Sequence, residues 1–311
     1  GKLDDRDFAL WKNAGDDEIY WESPWGKGRP GWHIECSTMS MKYLGETLDI
    51  HGGGKDLRFP HHENEIAQSE SLTGKRFSNY WLHNGLVKVN GQKMSKSLGN
   101  GILLQDLLIE YDSDVIKLAL LQNNYKSDLN ITEGMFENCE KKTYLLYKVF
   151  DHIDRVGKDH VTNKDSKYYK EIKEKFIEAM DSDFNTSLAI SDAFNYISQL
   201  SQMIDKKNHV QDMVDIKAAL VDIYNVLELF QEDPKIVLKK IREKYLNLNG
   251  ITEEKILDLI EQRKQMKESK DYSSADRIRE MLTNNGVLIK DTREGTEWDI
   301  EISPKKIGEV N

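Results

Sequence analysis

Cysteine is scarce in this chain. Only Cys36 and Cys139 occur among 311 residues, so a disulfide scaffold is excluded and a reducing, cytoplasmic setting fits. No apolar run approaches the roughly 18 residues that a membrane-spanning helix needs, and no secretory-type opening is visible. Positive charge is also in deficit: 44 Lys and Arg stand against 54 Asp and Glu, a net charge of -10. That balance argues against indiscriminate nucleic-acid binding but leaves room for local phosphate contacts. Neither a GxGxxG fingerprint nor a Walker loop is present. The 181–186 stretch DSDFNT lacks the central glycine and distal glutamate of a calcium loop and reads as a helix cap ahead of Leu188. The sequons at Asn130 and Asn185 are short signals and incidental in a reducing compartment.

What is present is concentrated between Gly31 and Gly99. In HHENE at 61–65, His61 and Glu65 are four apart and share one face of a helix. With Cys36 upstream they make a thiolate, imidazole and carboxylate set suited to zinc. A lone cysteine is equally at home as a small core residue, and the HExxH pattern of a zinc hydrolase is absent. Gly52, Gly53 and Gly54 follow Leu48-Asp49-Ile50, a short strand expected to end in a turn. Backbone without side chains can approach a ligand closely, and Asp56 could accept hydrogen bonds from ribose; a plain flexible turn is the alternative. The loop GQKMSKSLG at 91–99 offers Lys93 and Lys96 on mobile backbone. Lysines so placed can meet negative charge as it develops on phosphate oxygens.

Along the chain, Asp7 to Lys12 reads as an edge strand or short helix, followed by an irregular loop to Pro30. Pro60 suits the first turn of a helix that Gly74 ends. Residues 80–83 and 86–89 read as short strands with an Asn90-Gly91 turn, and 103–121 as a helical region. From 133 to about 245 the apolar residues recur at spacings of three and four: Leu146, Phe150, Ile153; Ile190, Ile197, Leu200, Ile204; Met213, Ile216, Leu220, Ile223, Leu227, Phe230. That pattern predicts a helical bundle. Helices at 253–269 and 272–283 and strands at 287–290 and 296–302 close the chain. The run 235–244 carries five basic residues against one acid, and Arg263, Lys264, Lys267 and Lys270 form a second cluster. Either could meet nucleic acid or simply be a solvated face.

Three motifs in series, GWHIECS at 31–37, DIHGGGKDLRFPHHENEIAQSE at 49–70 and KMSKS at 93–97, resemble cysteinyl-tRNA synthetases. MDSDFNT at 180–186 and DTREGTEW at 291–298 extend the likeness over nearly the whole chain. The resemblance implies an α/β fold, the second half of a class I Rossmann-like catalytic domain, followed by an α-helical bundle and a small mixed α+β domain. Residues 1–100 would hold the catalytic half with the zinc site and lysine loop, and 101–132 a fold contacting the tRNA stem. Residues 133–249 would form the tRNA-binding bundle and 250–311 an anticodon-recognition domain, with Arg263, Asp276, Arg279, Asp291 and Trp298 as candidates for fold support or anticodon contact.

The family binds one zinc through two cysteines, a histidine and a glutamate, and Cys36, His61 and Glu65 match three of those positions. Trp32 matches a tryptophan of the cysteine pocket. Lys96, supported by Lys93, matches the lysine that stabilises ATP phosphates, and Gly53, Gly54 and Asp56 match the surface along the adenosine. The implied partners are L-cysteine, ATP with magnesium and tRNA(Cys), the protein acting as a cytoplasmic monomer with no membrane. One departure stands out: the His-Ile-Gly-His signature and the other zinc cysteine are absent from this sequence. The opening GKLD, without an initiator methionine, reads as a cut within a longer protein. Three other readings remain open: an ATP-dependent ligase joining cysteine to a small amine, a zinc hydrolase, and a tRNA-binding fragment inactive on its own.

Overall fold

The computed structural model describes residues 2–95, 98–204, 209–292 and 295–302. The chain divides into two compact units, residues 1–100 with 125–131, and residues 101–124 with 132–311. Among the described residues no helix is long and apolar enough to cross a membrane.

The first unit is built on a parallel pair. Strand β3 (Leu48–Gly54) runs beside β4 (Ser78–Asn84), in register from Leu48 with Ser78 to Gly54 with Asn84. Parallel strands need a crossover, and helix α2 (Glu63–Thr73) supplies it, packed against α1 (Trp32–Leu44). The buried Ser37 hydroxyl donates to Gln68 Oε1 at 2.8 Å and fixes α1 against α2. Gly74 ends α2 in a left-handed conformation, φ 66°, as its lack of a Cβ permits. The glycine tract is not a turn, as the sequence suggested, but the end of β3: Gly52, Gly53 and Gly54 pair with Leu82, His83 and Asn84. Pro60 does not open the regular helix either. It sits in a five-residue wide turn, Arg58–His62, that delivers His61 just ahead of α2.

Ahead of α1, β1 (Trp11–Asn13) pairs antiparallel with β2 (Gly28–Pro30). Beyond β4, a three-stranded sheet has the order β6 (Gln92–Lys93), β5 (Val87–Val89), β7 (Leu129–Ile131), with β5 antiparallel to β6 and parallel to β7. The hairpin of β5 and β6 turns through Asn90 and Gly91, φ 48° and 82°, the two positive values that an Asn-Gly turn supplies. Gly85 passes so close to the return segment that a Cβ there would lie 2.0 Å from the Ser127 carbonyl oxygen.

The second unit is helical apart from its last hairpin. The expected helical region at 103–121 is two helices, α3 (Leu104–Glu110) and α4 (Ser113–Leu121), parted where Asp112 caps α4 by accepting from the Asp114 amide. Helices α5 (Met135–Val156), α6 (Lys167–Asp181), α7 (Thr186–Met203), α8 (Val210–Leu227) and α9 (Pro234–Asn249) form the bundle. Leu146, Ile153, Ile197, Leu200, Ile216 and Leu220 are at or near zero exposure in its core. The three-and-four spacing made these residues one stripe per helix, and burial of each removes an apolar side chain worth about 1.5–3 kcal/mol from water. Asn185 caps α7 by accepting from the Leu188 amide, as the sequence predicted.

Helices α10 (Glu253–Glu268) and α11 (Tyr272–Asn284) lead into the antiparallel pair β8 (Val287–Thr292) and β9 (Gly295–Ile300). Arg263, 3% exposed, makes a bidentate pair with Asp291 at 2.8 and 2.9 Å, and Lys267 and the Thr296 hydroxyl complete the carboxylate's partners. Both Arg263 and Asp291 therefore support the fold. Of the five cations in the basic run on α9, Lys235 and Lys239 are exposed, while three reach groups of other elements. Lys240 meets Asp112 at 2.7 Å, Lys244 meets Glu140 at 2.9 Å, and Arg242 donates to Tyr144 Oη at 2.9 Å beside Asp299. Trp298 lies under the Arg242 guanidinium, 5.7 Å away.

Candidate functional site

The parallel strands β3 and β4 end side by side, where ligands of α/β sheets bind, and a histidine cluster is gathered there. Glu65, on the first turn of α2, is fully buried. Its Oε1 lies 2.6 Å from His61 Nε2, and its Oε2 lies 2.9 Å from His51 Nε2 of β3. Cys36 projects from α1 into the same space, and the ligand atoms of Cys36, His61 and Glu65 all come within 4.8 Å of one another. The three residues expected from the sequence to share an ion are thus brought together.

Their neighbours orient them. His61 Nδ1 is 2.8 Å from His33 Nδ1, and the Trp32 indole stacks on the His61 ring, centroids 4.3 Å apart and planes at 22°. His61 is therefore held at one nitrogen and one face, with Nε2 left to point at Glu65. Beyond these two imidazole contacts, neither buried Glu65 oxygen has a partner among the described residues. A buried carboxylate left so is costly unless a cation stands where the ring nitrogens and oxygens converge. With a sulfur, a nitrogen and an oxygen donor, the set fits a borderline-soft metal such as zinc.

Burial and neighbouring charge shift the titratable groups here in different directions. Burial, with Glu65 and Glu35 nearby, pushes the Cys36 thiol up. Burial also raises Glu65, but His51, His61 and His62 together outweigh it and hold the carboxyl below its ordinary value. Burial brings His62 down to about 4, against the pull of Glu65, and neighbouring imidazoles add to the fall. His33 and His83 are lowered as well, first by burial and then by His61 and by Arg58 respectively. For His62 the lowering favours neutral imidazole, the form that binds metal.

The nucleotide candidates lie at the strand ends. Asp56 faces Lys93, whose Nζ is 3.3 Å from Oδ2. Gly54 allows the Asp56 carboxylate to fold back on the backbone, since a Cβ there would be 2.6 Å from Oδ1. Gly53 lies against His62, not against open space, with its missing Cβ 2.8 Å from His62 Cε1. Lys96 falls outside the described residues. A cleft of about 870 Å³ opens beside these groups, lined by Lys55, Arg58, Trp81, His83 and Lys126 among others. The sequence reading missed His33, His51, His62 and His83. His33 had a signal, three residues before Cys36 on the same helix; His83 lies on another strand and had none.

Residues 1–141 match the family of tRNA synthetases class I (C) catalytic domains, and residues 175–231 match the DALR domain. A cysteine–tRNA ligase of Thermodesulfovibrio yellowstonii is 43% identical over 314 residues, covering 96% of this chain and 63% of the relative. The chain belongs to the cysteinyl-tRNA synthetase family. Cysteine–tRNA ligases of Hahella chejuensis and Bacillus licheniformis are 42% and 41% identical over 292 and 303 residues, covering 94% and 96% of this chain and 61% and 62% of theirs. The chain thus spans somewhat less than two thirds of these relatives' length. Among solved structures, the ternary complex of Agrobacterium radiobacter K84 LeuRS with tRNA and LeuAMS superposes with a TM-score of 0.51 at 16% identity, covering 76% of this chain and 36% of that one. At that identity the likeness is one of fold.

Proposed function

We propose that this chain is the greater part of a cysteine–tRNA ligase, which activates L-cysteine with ATP and magnesium to cysteinyl adenylate and transfers it to tRNA(Cys). The observation that carries the proposal is the convergence of Cys36, His61 and Glu65, with Trp32 closing over His61. Cys36, His61 and Glu65 would hold a zinc ion, which would supply a bond to the substrate thiolate that serine cannot make, so selection need not depend on a weak difference in size. Trp32 bounds the amino-acid pocket. Gly54 and Asp56 lie along the adenosine, with Gly53 backing His62, and Lys93 and Lys96 meet the charge that develops on the phosphates.

In this reading residues 101–132 contact the tRNA stem, 133–249 form the tRNA-binding bundle and 250–311 recognise the anticodon, in a cytoplasmic monomer. Cysteine-dependent ATP–pyrophosphate exchange by the protein carrying this chain tests it. Exchange supported by L-cysteine and not L-serine is expected, falling at least about 10-fold in Cys36→Ser. Equal exchange with serine would remove the thiol-selective site. A second reading, a tRNA-binding part that activates nothing alone, draws on the chain's 63% share of its relative; tRNA binding without exchange by residues 1–311 would decide for it.

A further inference from the structure

Glu65 stands at the meeting point of two side-chain groups. Cys36, His61 and Glu65 bring ligand atoms within 4.8 Å of one another, and so do His51, His62 and Glu65. The second group approaches the other carboxylate oxygen, with His51 Nε2 at 2.9 Å from Oε2, and beyond that contact this oxygen too is buried without a partner among the described residues. The two histidines following Pro60 are held alike. His61 Nδ1 is engaged by His33 at 2.8 Å and His62 Nδ1 by His83 Nε2 at 2.9 Å. Fixing one imidazole nitrogen leaves the other as an oriented ligand, so each ring presents Nε2. Gly53 makes the room: a Cβ at that position would lie 3.0 Å from His62 Nε2.

We propose that Glu65 serves two cation stations, so that a divalent ion which cannot be held through Cys36 is held by His51, His62 and Glu65. The first station is the zinc site of the proposed function, and the inference rests on that reading. One ion at a time occupies the pair, because two dications sharing a single carboxylate and one thiolate would repel each other with little water between them. The stations differ in chemistry. Sulfur, nitrogen and oxygen favour zinc at the first; two nitrogens and an oxygen at the second suit zinc, cobalt or nickel.

Cobalt(II) titration of residues 1–311, followed by absorption and by metal content, tests the proposal. The unsubstituted chain is expected to bind one cobalt with a sulfur-to-metal charge-transfer band. Cys36→Ser should still bind one cobalt, without that band and about 10–100-fold more weakly, and adding His51→Gln should abolish binding. His62→Gln serves as the second variant, and circular dichroism checks that each is folded. A folded Cys36→Ser that binds no cobalt overturns the second station and leaves the zinc reading standing. Binding by the unsubstituted chain without the band, and lost in His62→Gln, supports the second station and removes Cys36 from the zinc reading. No binding by the unsubstituted chain overturns both.

Discussion

Replacing Lys244 by methionine should destabilise the helical unit by about 2–3 kcal/mol. Glu140 is 2% exposed in the seam of α5 and α9. Its two oxygens each accept from Lys244 Nζ at 2.9 Å, and Oε2 also accepts from the Tyr245 hydroxyl at 2.8 Å. Lys244→Met leaves the carboxylate buried with a single donor. Removing one partner of a fully buried pair costs about 3–5 kcal/mol. The loss here is discounted because the Lys244 side chain is 24% exposed, so water can reach toward the place the ammonium leaves, and because Tyr245 still donates. Glu140→Met leaves the opposite orphan, an ammonium that can turn outward, at about 1 kcal/mol. The double variant leaves neither charge and should fall within about 1 kcal/mol of the parent. Urea titrations followed by helical circular dichroism, dominated by α5–α11, give the four free energies of the cycle. A double variant whose loss equals the sum of the two single losses would refute the account, since the seam would then not hold a mutually dependent pair.

Two other sites give outcomes of the same kind. Asp114 accepts from the Phe230 amide at 2.9 Å, and burial, with Asp112 nearby, raises its carboxyl above the ordinary value. A carboxyl raised in the folded state binds more protons there than in the unfolded chain, so its contribution to stability falls as pH rises from the unfolded value through the folded one; Asp114→Asn should be most favourable relative to the parent at neutral pH and lose that advantage in acid, and a pH-independent difference in urea midpoints would count against it. Gly85→Ala places a Cβ 2.0 Å from the Ser127 carbonyl oxygen, a backbone clash that should cost about 3 kcal/mol or more and lower the melting temperature of the first unit; an unshifted melt would show that the segments part freely.

What could be read from the sequence was whatever is local. The bundle helices announced themselves because Leu146, Phe150 and Ile153, or Met213, Ile216 and Leu220, repeat at the helical period. The Asn90-Gly91 hairpin was legible because two positive φ values demand that pair. The glycines at 52–54 were misread as a turn because their pairing partners, Leu82 to Asn84, are thirty residues away in the sequence, and glycine alone carries no strand signal. Cys36, His61 and Glu65 were proposed as a set, and the fold brings them together. His51 and His83 went unnoticed since each is a lone histidine in a strand, and only the parallel register sets them beside α2. The basic run on α9 was left open between a nucleic-acid contact and a solvated face; Lys235 and Lys239 are exposed, but the carboxylates that take Lys240 and Lys244, Asp112 and Glu140, are more than a hundred residues upstream and could not be read locally.

Strand β7 gives the first unit a seam that a simple cut cannot respect. Because β5 is the middle strand between β6 and β7, a polypeptide stopped at residue 100 would keep the donor set of the histidine cluster yet expose one bare flank of β5. Unpaired flanks of that kind invite a neighbouring chain to add itself. Anyone wishing to excise the catalytic portion for crystallisation or metal analysis would do better to graft residues 125–131 back onto it through a short linker than to trust linear trimming.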